Sequence, residues 1–313
     1  MDWCSKLPSR YPTMVTRYGI SIIGGGRLGR SLGCGLRERG WKVHSVVTRS
    51  RATAKRAVRA IGGGSPRYSI SGQELVPPVI LIAVPDSAIP EVAEELAAAE
   101  WPQHAKRVVL HTSGAWSSGI LAPLRQFGAS VGSVHPLQSF SGIGSPHLEG
   151  CIFAIEGDFG ATRVARSIAR ALEGRILALD PAAKPLYHAA ATMAAGQVLA
   201  ELEAAIQIFA SMGMKRREAL RALLPLTRQV LENLERLGPR AAWTGPLARG
   251  DFSVIEAHEN SLGSWPGEFL TAYRALNRLS ARVLSRNPES AQAELDRISL
   301  GTKHPWQAKG ANA

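Results

Sequence analysis

Lys184 and His188 stand four residues apart at the start of a long alanine-rich segment. That spacing puts both side chains on one face of a helix. A lysine or an imidazole can deliver a proton to an oxygen gaining negative charge, so the pair suits a carbonyl reduction. His111-Thr-Ser113-Gly114 and His135 each lie at the end of an apolar run. Ser113 could join Lys184 and His188 in the catalytic set, with His111, Gly114 and His135 contacting the substrate. Arg249, within Trp243-Thr-Gly-Pro-Leu-Ala-Arg-Gly-Asp251, can bind a carboxylate as a fork. A plainer reading stays open for each: a surface lysine with a hydrogen-bonded core histidine, and a helix connection with Asp251 as N-cap.

A second constellation could hold the cofactor such chemistry needs. A short apolar run, Ile20 to Ile23, leads into Gly24-x-Gly26-x-x-Gly29, and helical sequence follows from about Arg27 to Arg39. Gly24 permits a tight turn, Gly26 lets the backbone approach a pyrophosphate, and Gly29 lets the helix pack against the strand. Arg27 and Leu28 open the helix, whose N-terminal N–H groups face the phosphates. A second strand, Lys42 to Val47, ends in Thr48-Arg49-Ser50-Arg51, where an NAD site would carry an acid. Arg49 and Arg51 can pair with a 2′-phosphate, and Thr48 and Ser50 can hydrogen-bond to it, so the expected cofactor is NADP(H). Val84, Pro85 and Asp86 end the next apolar run and complete the cofactor-binding set.

The elements that must position these residues alternate. Strands are expected at Ile20–Ile23, Lys42–Val47, Val79–Val84, Arg107–Leu110, Ser130–Val134, Cys151–Ile155 and Arg175–Leu179. Helices fall between most of them, including a short one from Ser117 to Gln126. Gly62-Gly-Gly-Ser-Pro66 reads as a break. This is the α/β pattern of a doubly wound, mainly parallel sheet, with ligands beyond the carboxyl ends of the strands. After Asp180-Pro181 only helices are expected: Ala182–Met212, Arg216–Arg236, roughly Asp251–Asn260, Gly267–Ser285 and Pro288–Leu300. The implied organisation is an extension over 1–17, an NADP-binding domain over 18–180, and a helical substrate and dimerisation domain over 181–305. Lys184, just past the boundary, is expected at the mouth of the cleft between the domains. Ala194 to Met212 is apolar around most of its circumference, which predicts a homodimer.

Length and composition bound the rest. A chain of 313 residues with 45% hydrophobic content can fill two cores. No uninterrupted apolar run reaches the length of a membrane span, and no secretory signal is expected at the start. Three cysteines without paired spacing fit a cytoplasmic location. The net charge of +12 comes from arginines scattered over helical segments, so the expected partner is a small anionic substrate rather than nucleic acid. No metal site is expected, because no Cys/His cluster and no His pair at helical metal spacing occurs. Gly128-Ala-Ser130-Val-Gly132 matches a nucleophile elbow in letters only, since a helix precedes it and a strand follows.

Taken in order, Gly24–Arg30, Val84-Pro-Asp-Ser87, His111-Thr-Ser-Gly114, His135-Pro-Leu-Gln-Ser-Phe140, Lys184-Pro-Leu-Tyr-His-Ala-Ala-Ala191 and Thr244–Asp251 resemble one bacterial family. It joins a Rossmann-like domain to a helical domain of unknown function. In plan it is similar to ketopantoate reductases, pyrroline-5-carboxylate reductases and β-hydroxyacid dehydrogenases. The resemblance implies an NADPH-dependent reductase of a small oxo acid, ketopantoate-like, acting on C=O or C=N. Lys184 matches the lysine that opens the corresponding helix in the β-hydroxyacid dehydrogenases and ketopantoate reductases, whereas His188 stands where they carry asparagine, and Gly196 where members of the resembled family often carry asparagine. These departures keep a second reading open, a non-catalytic NADP-binding sensor or scaffold.

Overall fold

The computed structural model describes residues 19–70, 78–99, 107–141 and 148–301. The expected extension over 1–17 and the end of the expected helical domain, beyond 301, lie outside them. Two compact units divide the chain, Met1–Gly196 and Gln197–Ala313, so the first runs past Asp180.

The first unit is built on an eight-stranded sheet. Its strands are β1 (Gly19–Ile23), β2 (Lys42–Val47), β3 (Ser65–Arg67), β4 (Val79–Ile82), β5 (Val108–His111), β6 (Ser130–Pro136), β7 (Ile152–Gly157) and β8 (Arg175–Ala178). They lie in the order β3-β2-β1-β4-β5-β6-β7-β8. Every pairing is parallel except β6 with β7. Between them run α1 (Arg27–Glu38), α2 (Arg51–Ile61), α3 (Ile89–Ala98) and α4 (Phe159–Ala171). The central strands are apolar on both faces because helices cover both. Ile20, Ile22 and Leu81 pack with Leu32, Leu36 and Ile168 in one core. Ile23, Ile80 and Ile82 pack with Val92, Leu96 and Leu121 in another.

Two expectations need correction. Gly62–Pro66 does not simply break the chain, because Ser65-Pro66-Arg67 forms β3. Pro66 lacks an N–H, and an edge strand paired only with β2 can accommodate that. The helix expected from Ser117 is a 3-10 helix over Ser118–Phe127, with Pro123 inside it. A proline there cannot donate the i→i−4 bond of an α-helix.

Past β8, Pro181–Ser211 is helical throughout. It comprises a 3-10 turn (Pro181–Ala183), α5 (Lys184–Thr192), a π turn (Met193–Gln197) and α6 (Val198–Ser211). Its most apolar 18-residue window has a mean hydropathy of 1.2, so by length and composition alone the helix could cross a membrane. The expectation concerned uninterrupted apolar runs, and this helix qualifies only on a window average that admits polar residues. The second unit continues with α7 (Arg216–Leu237), α8 (Pro239–Ala242), α9 (Pro246–Arg249), α10 (Phe252–Leu262), α11 (Gly267–Leu284) and α12 (Pro288–Gly301). Its core is small, centred on Leu247, Ile255, Ala281, Leu295 and Ile298. Leu199, Leu226, Val230 and Leu231 on α6 and α7 stay exposed.

Candidate active site

The glycine loop at the end of β1 divides its tasks by sterics. A side chain at Gly24 would meet the Ala83 carbonyl oxygen at 2.2 Å, and the residue has φ +114°. A side chain at Gly29 would meet the Gly24 oxygen at 2.2 Å, so α1 sits against the turn. At Gly26 a side chain would meet nothing within 4 Å. Gly26 is exposed at the N-terminus of α1, beside exposed Arg27 and half-buried Leu28. This is the open, N–H-lined space a pyrophosphate requires. Gly25 is a constraint the sequence reading passed over, because a side chain there would press on Thr48 and Ala57.

The end of β2 carries the arginines. The Thr48 hydroxyl donates to the Ser50 carbonyl, and the Ser50 side chain caps α2. Arg49 and Arg51 are exposed. The Arg51 guanidinium lies 4.6 Å from the centre of the Tyr68 ring and donates to its hydroxyl. No acid stands between Val47 and Arg51, so the residues present fit a phosphorylated ribose better than a free diol. Val84, Pro85 and Asp86 follow β4, the strand next to β1.

A second group of polar side chains gathers at the ends of β5, β6 and β7, and it has two layers. The lower one is buried. Lys184 has no exposed surface; its ammonium donates to the Ser113 carbonyl (2.8 Å) and the Ser133 hydroxyl (2.6 Å). Glu156 lies 3.8 Å from the ammonium and accepts from the Ser118 backbone N–H and hydroxyl. The register explains this meeting, since Ser133 and Glu156 are directly opposed across the β6–β7 pair. His111 is also fully buried, and its Nδ1 accepts from the Ser113 N–H. The Ser113 hydroxyl accepts from the N–H groups of Ala115 and Trp116, closing the turn.

The upper layer is half-buried. His135 Nδ1 lies 2.9 Å from the Tyr187 hydroxyl, and its ring stands edge-on to His188 at 5.7 Å. Both imidazoles border Gly114, where a side chain would meet His188 Cδ2 at 2.5 Å and His135 Nε2 at 2.9 Å. Gly114 is thus a glycine because two rings occupy the space beside it.

Burial sets the proton states. Desolvation lowers Lys184 to about 8, while Glu156 and Asp86 oppose the shift. Desolvation, reinforced by the nearby Lys184 charge, takes His111 down to about 3. His135 is lowered to about 4 by burial, then by His188 and Lys184, and Tyr187 is raised to about 12 by burial. At neutral pH His135 and Tyr187 are therefore both neutral. In the tautomer where the Tyr187 hydroxyl donates to Nδ1, His135 Nε2 carries a proton beside Gly114.

Of the sequence candidates in the first unit, Lys184, His188, His111, Ser113, Gly114 and His135 lie together. Lys184 is buried: its side chain, at the start of α5, reaches inward to the Ser113 carbonyl and the Ser133 hydroxyl. His111 Nδ1 and the Ser113 hydroxyl are engaged in the turn. Arg249 lies in the second unit, and its Nε pairs with Asp251 at 2.8 Å. Tyr187, Ser133 and Glu156 were missed. Tyr187 stood inside the Lys184–Ala191 motif, and Glu156 betrayed itself only as a charge closing an apolar strand.

Residues 9–136 match the model of a Rossmann-like domain and residues 151–279 that of a Domain of unknown function (DUF2520). The chain joins the two. No curated protein matches it. Among solved structures it is similar to a candidate NADP oxidoreductase from Bacteroides fragilis, at 21% identity and a TM-score of 0.70, covering 84% of this chain and 97% of that one. A reductive aminase from Aspergillus terreus, solved with NADPH and ethyl levulinate, has 17% identity and a TM-score of 0.61, with 90% and 99% covered. A pyrroline-5-carboxylate reductase from Coxiella burnetii has 16% identity and a TM-score of 0.55, with 91% and 99% covered. At these identities the likeness is one of fold.

Proposed function

We propose that this protein is an NADPH-dependent reductase of a C=O or C=N group on a small anionic substrate, a ketopantoate-like oxo acid. The observation that carries the reading is the pairing of an open glycine cradle after β1 with a polar cluster at β5 and β6, at the carboxyl ends of parallel strands of one sheet. The similar structures named for NADP oxidoreductase, reductive aminase and pyrroline-5-carboxylate reductase activities support it.

Gly24, Gly26, Gly29 and the first turn of α1 would hold the pyrophosphate, with Arg49, Arg51, Thr48 and Ser50 on the 2′-phosphate. When bound, the reduced nicotinamide supplies the hydride. The chain's own task is the proton. His135 Nε2 is placed to donate it to the substrate oxygen or nitrogen, with Tyr187 replenishing Nδ1 and His188 orienting the substrate. Lys184 acts from beneath, holding Ser113 and Ser133 in place and lending positive charge to the developing alkoxide. This reassigns the proton donor from Lys184 to the half-buried layer.

A homodimer belongs to the same reading. Only 6% of the apolar window in Pro181–Ser211 is buried, and Leu226, Val230 and Leu231 on α7 are exposed as well. Apolar surface on that scale calls for cover. Glu201, Glu203 and Arg216 along these helices favour a second copy over a lipid core, since charges are costly there.

The test is oxidation of NADPH against a panel of 2-oxo acids, 3-oxo acids and cyclic imines, with NADH in parallel. Turnover with at least one oxo acid and preference for NADPH are expected. Tight NADPH binding with no turnover across the panel would favour the sensor reading instead.

A further inference from the structure

The Trp243–Asp251 stretch has no part in the chemistry above, yet it walls a cavity of about 680 Å³ that lies wholly within the second unit. Arg240, Arg249 and Arg286 line it together with Trp243 and Phe252, and no carboxylate does among the described residues. Asp251 neutralises Arg249 alone. Arg240 and Arg286 have no acidic partner among the described residues. The backbone fixes the wall that carries Arg249. Gly245 (φ +100°) and Gly250 (φ +76°) bracket α9 in conformations that other residues adopt only with strain. Several arginines lining one cavity repel one another until an anion enters, and guanidinium groups bind carboxylate or phosphate as forks.

We propose that this cavity binds an amphipathic organic anion. Its carboxylate or phosphate would sit between Arg240 and Arg286, and its apolar or aromatic body against Trp243 and Phe252. The site is independent of the glycine loop and of turnover, so its test needs neither.

Calorimetric titration of the full chain at low ionic strength, with benzoate and phenyl phosphate as probes, should show saturable one-site binding of at least one. Benzyl alcohol and inorganic phosphate, each lacking half of the required chemistry, should bind at least about tenfold more weakly than the better probe. Preference for benzoate assigns a carboxylate ligand, and preference for phenyl phosphate a phosphate ester. Arg240→Ala/Arg286→Ala should weaken binding by at least about tenfold, and Arg286→Glu alone should do the same by reversing a charge. Arg163→Ala/Arg166→Ala on α4, which removes equal charge elsewhere, should bind as the parent does. Absence of saturable binding by both probes, unchanged affinity in the cavity variants, or equal loss in the α4 variant would overturn the assignment.

Discussion

The two polar layers at the strand ends hold similar residue types under different constraints. Below, Lys184, Glu156, Ser133 and His111 are buried and their hydrogen bonds run to one another or to the loop they support. Above, His135, Tyr187 and His188 share fewer bonds and keep part of their surface open. A lysine in the lower layer can shape and charge a site without touching its ligand. An imidazole in the upper layer can exchange a proton. Identity alone would rank the lysine first as an acid; burial reverses the ranking.

The largest effect that separates the layers is on rate. His135→Ala should lower kcat by about 10²–10⁴-fold, the usual worth of a positioned acid. It should change stability by no more than about 1 kcal/mol, one modest hydrogen bond. Lys184→Met should do something different: stranding Glu156 in the interior should cost about 3 kcal/mol of folding stability, though two Ser118 bonds remain to it. Chemical denaturation of both variants checks the contrast, and a stable Lys184→Met protein with full loss of turnover would restore the lysine as the acid.

Sequence reasoning found the sheet with little help from tertiary context. Val79–Ile82, buried on both faces, reads as a central strand from composition alone, and the glycine spacing after β1 reads as a cofactor turn. Lys184, His188, His135 and the His111–Gly114 turn were also legible, since strand ends announce themselves. What could not be read was depth. Whether Lys184 faces out or in depends on Glu156, which reaches it through the antiparallel register of β6 and β7, and no local pattern encodes that register. Tyr187 was hidden for the same reason, because its partner His135 lies far away in the chain. β3 was missed because proline and glycine normally punctuate strands, and only its edge position makes Pro66 acceptable.

Cofactor choice gives the next effect. Arg49→Ala/Arg51→Ala should weaken NADPH binding by about 2–4 kcal/mol, at about 1–2 for each lost charge-assisted contact, and leave NADH almost unchanged. Fluorescence titration with both nucleotides measures it; equal losses would place the arginines elsewhere. In the second unit, sedimentation should find a dimer, and Leu199→Glu/Leu226→Glu should yield monomers. A parent protein already monomeric at micromolar concentration would remove that proposal.

A further contrast is a divergence with pH. Lys184 has its folded value lowered from 10.5 to about 8, so between those values the unfolded chain binds more protons. Its contribution to stability therefore rises with pH across that window. Turnover should move the opposite way, falling above about 8 as the ammonium loses its charge. Lys184→Met should show neither slope. His135, lowered from 6.5 to about 4, obeys the same sign at lower pH: stability should fall as pH drops from 6.5 toward 4.

The most direct test is a single-turnover experiment with NADPH prebound and an active oxo acid added, comparing the parent protein with His135→Ala. The parent should oxidise its NADPH and form the hydroxy acid. His135→Ala should bind NADPH as tightly and react at least about 10²-fold more slowly. Equal single-turnover rates in the two proteins would contradict the assignment of the proton to the half-buried layer.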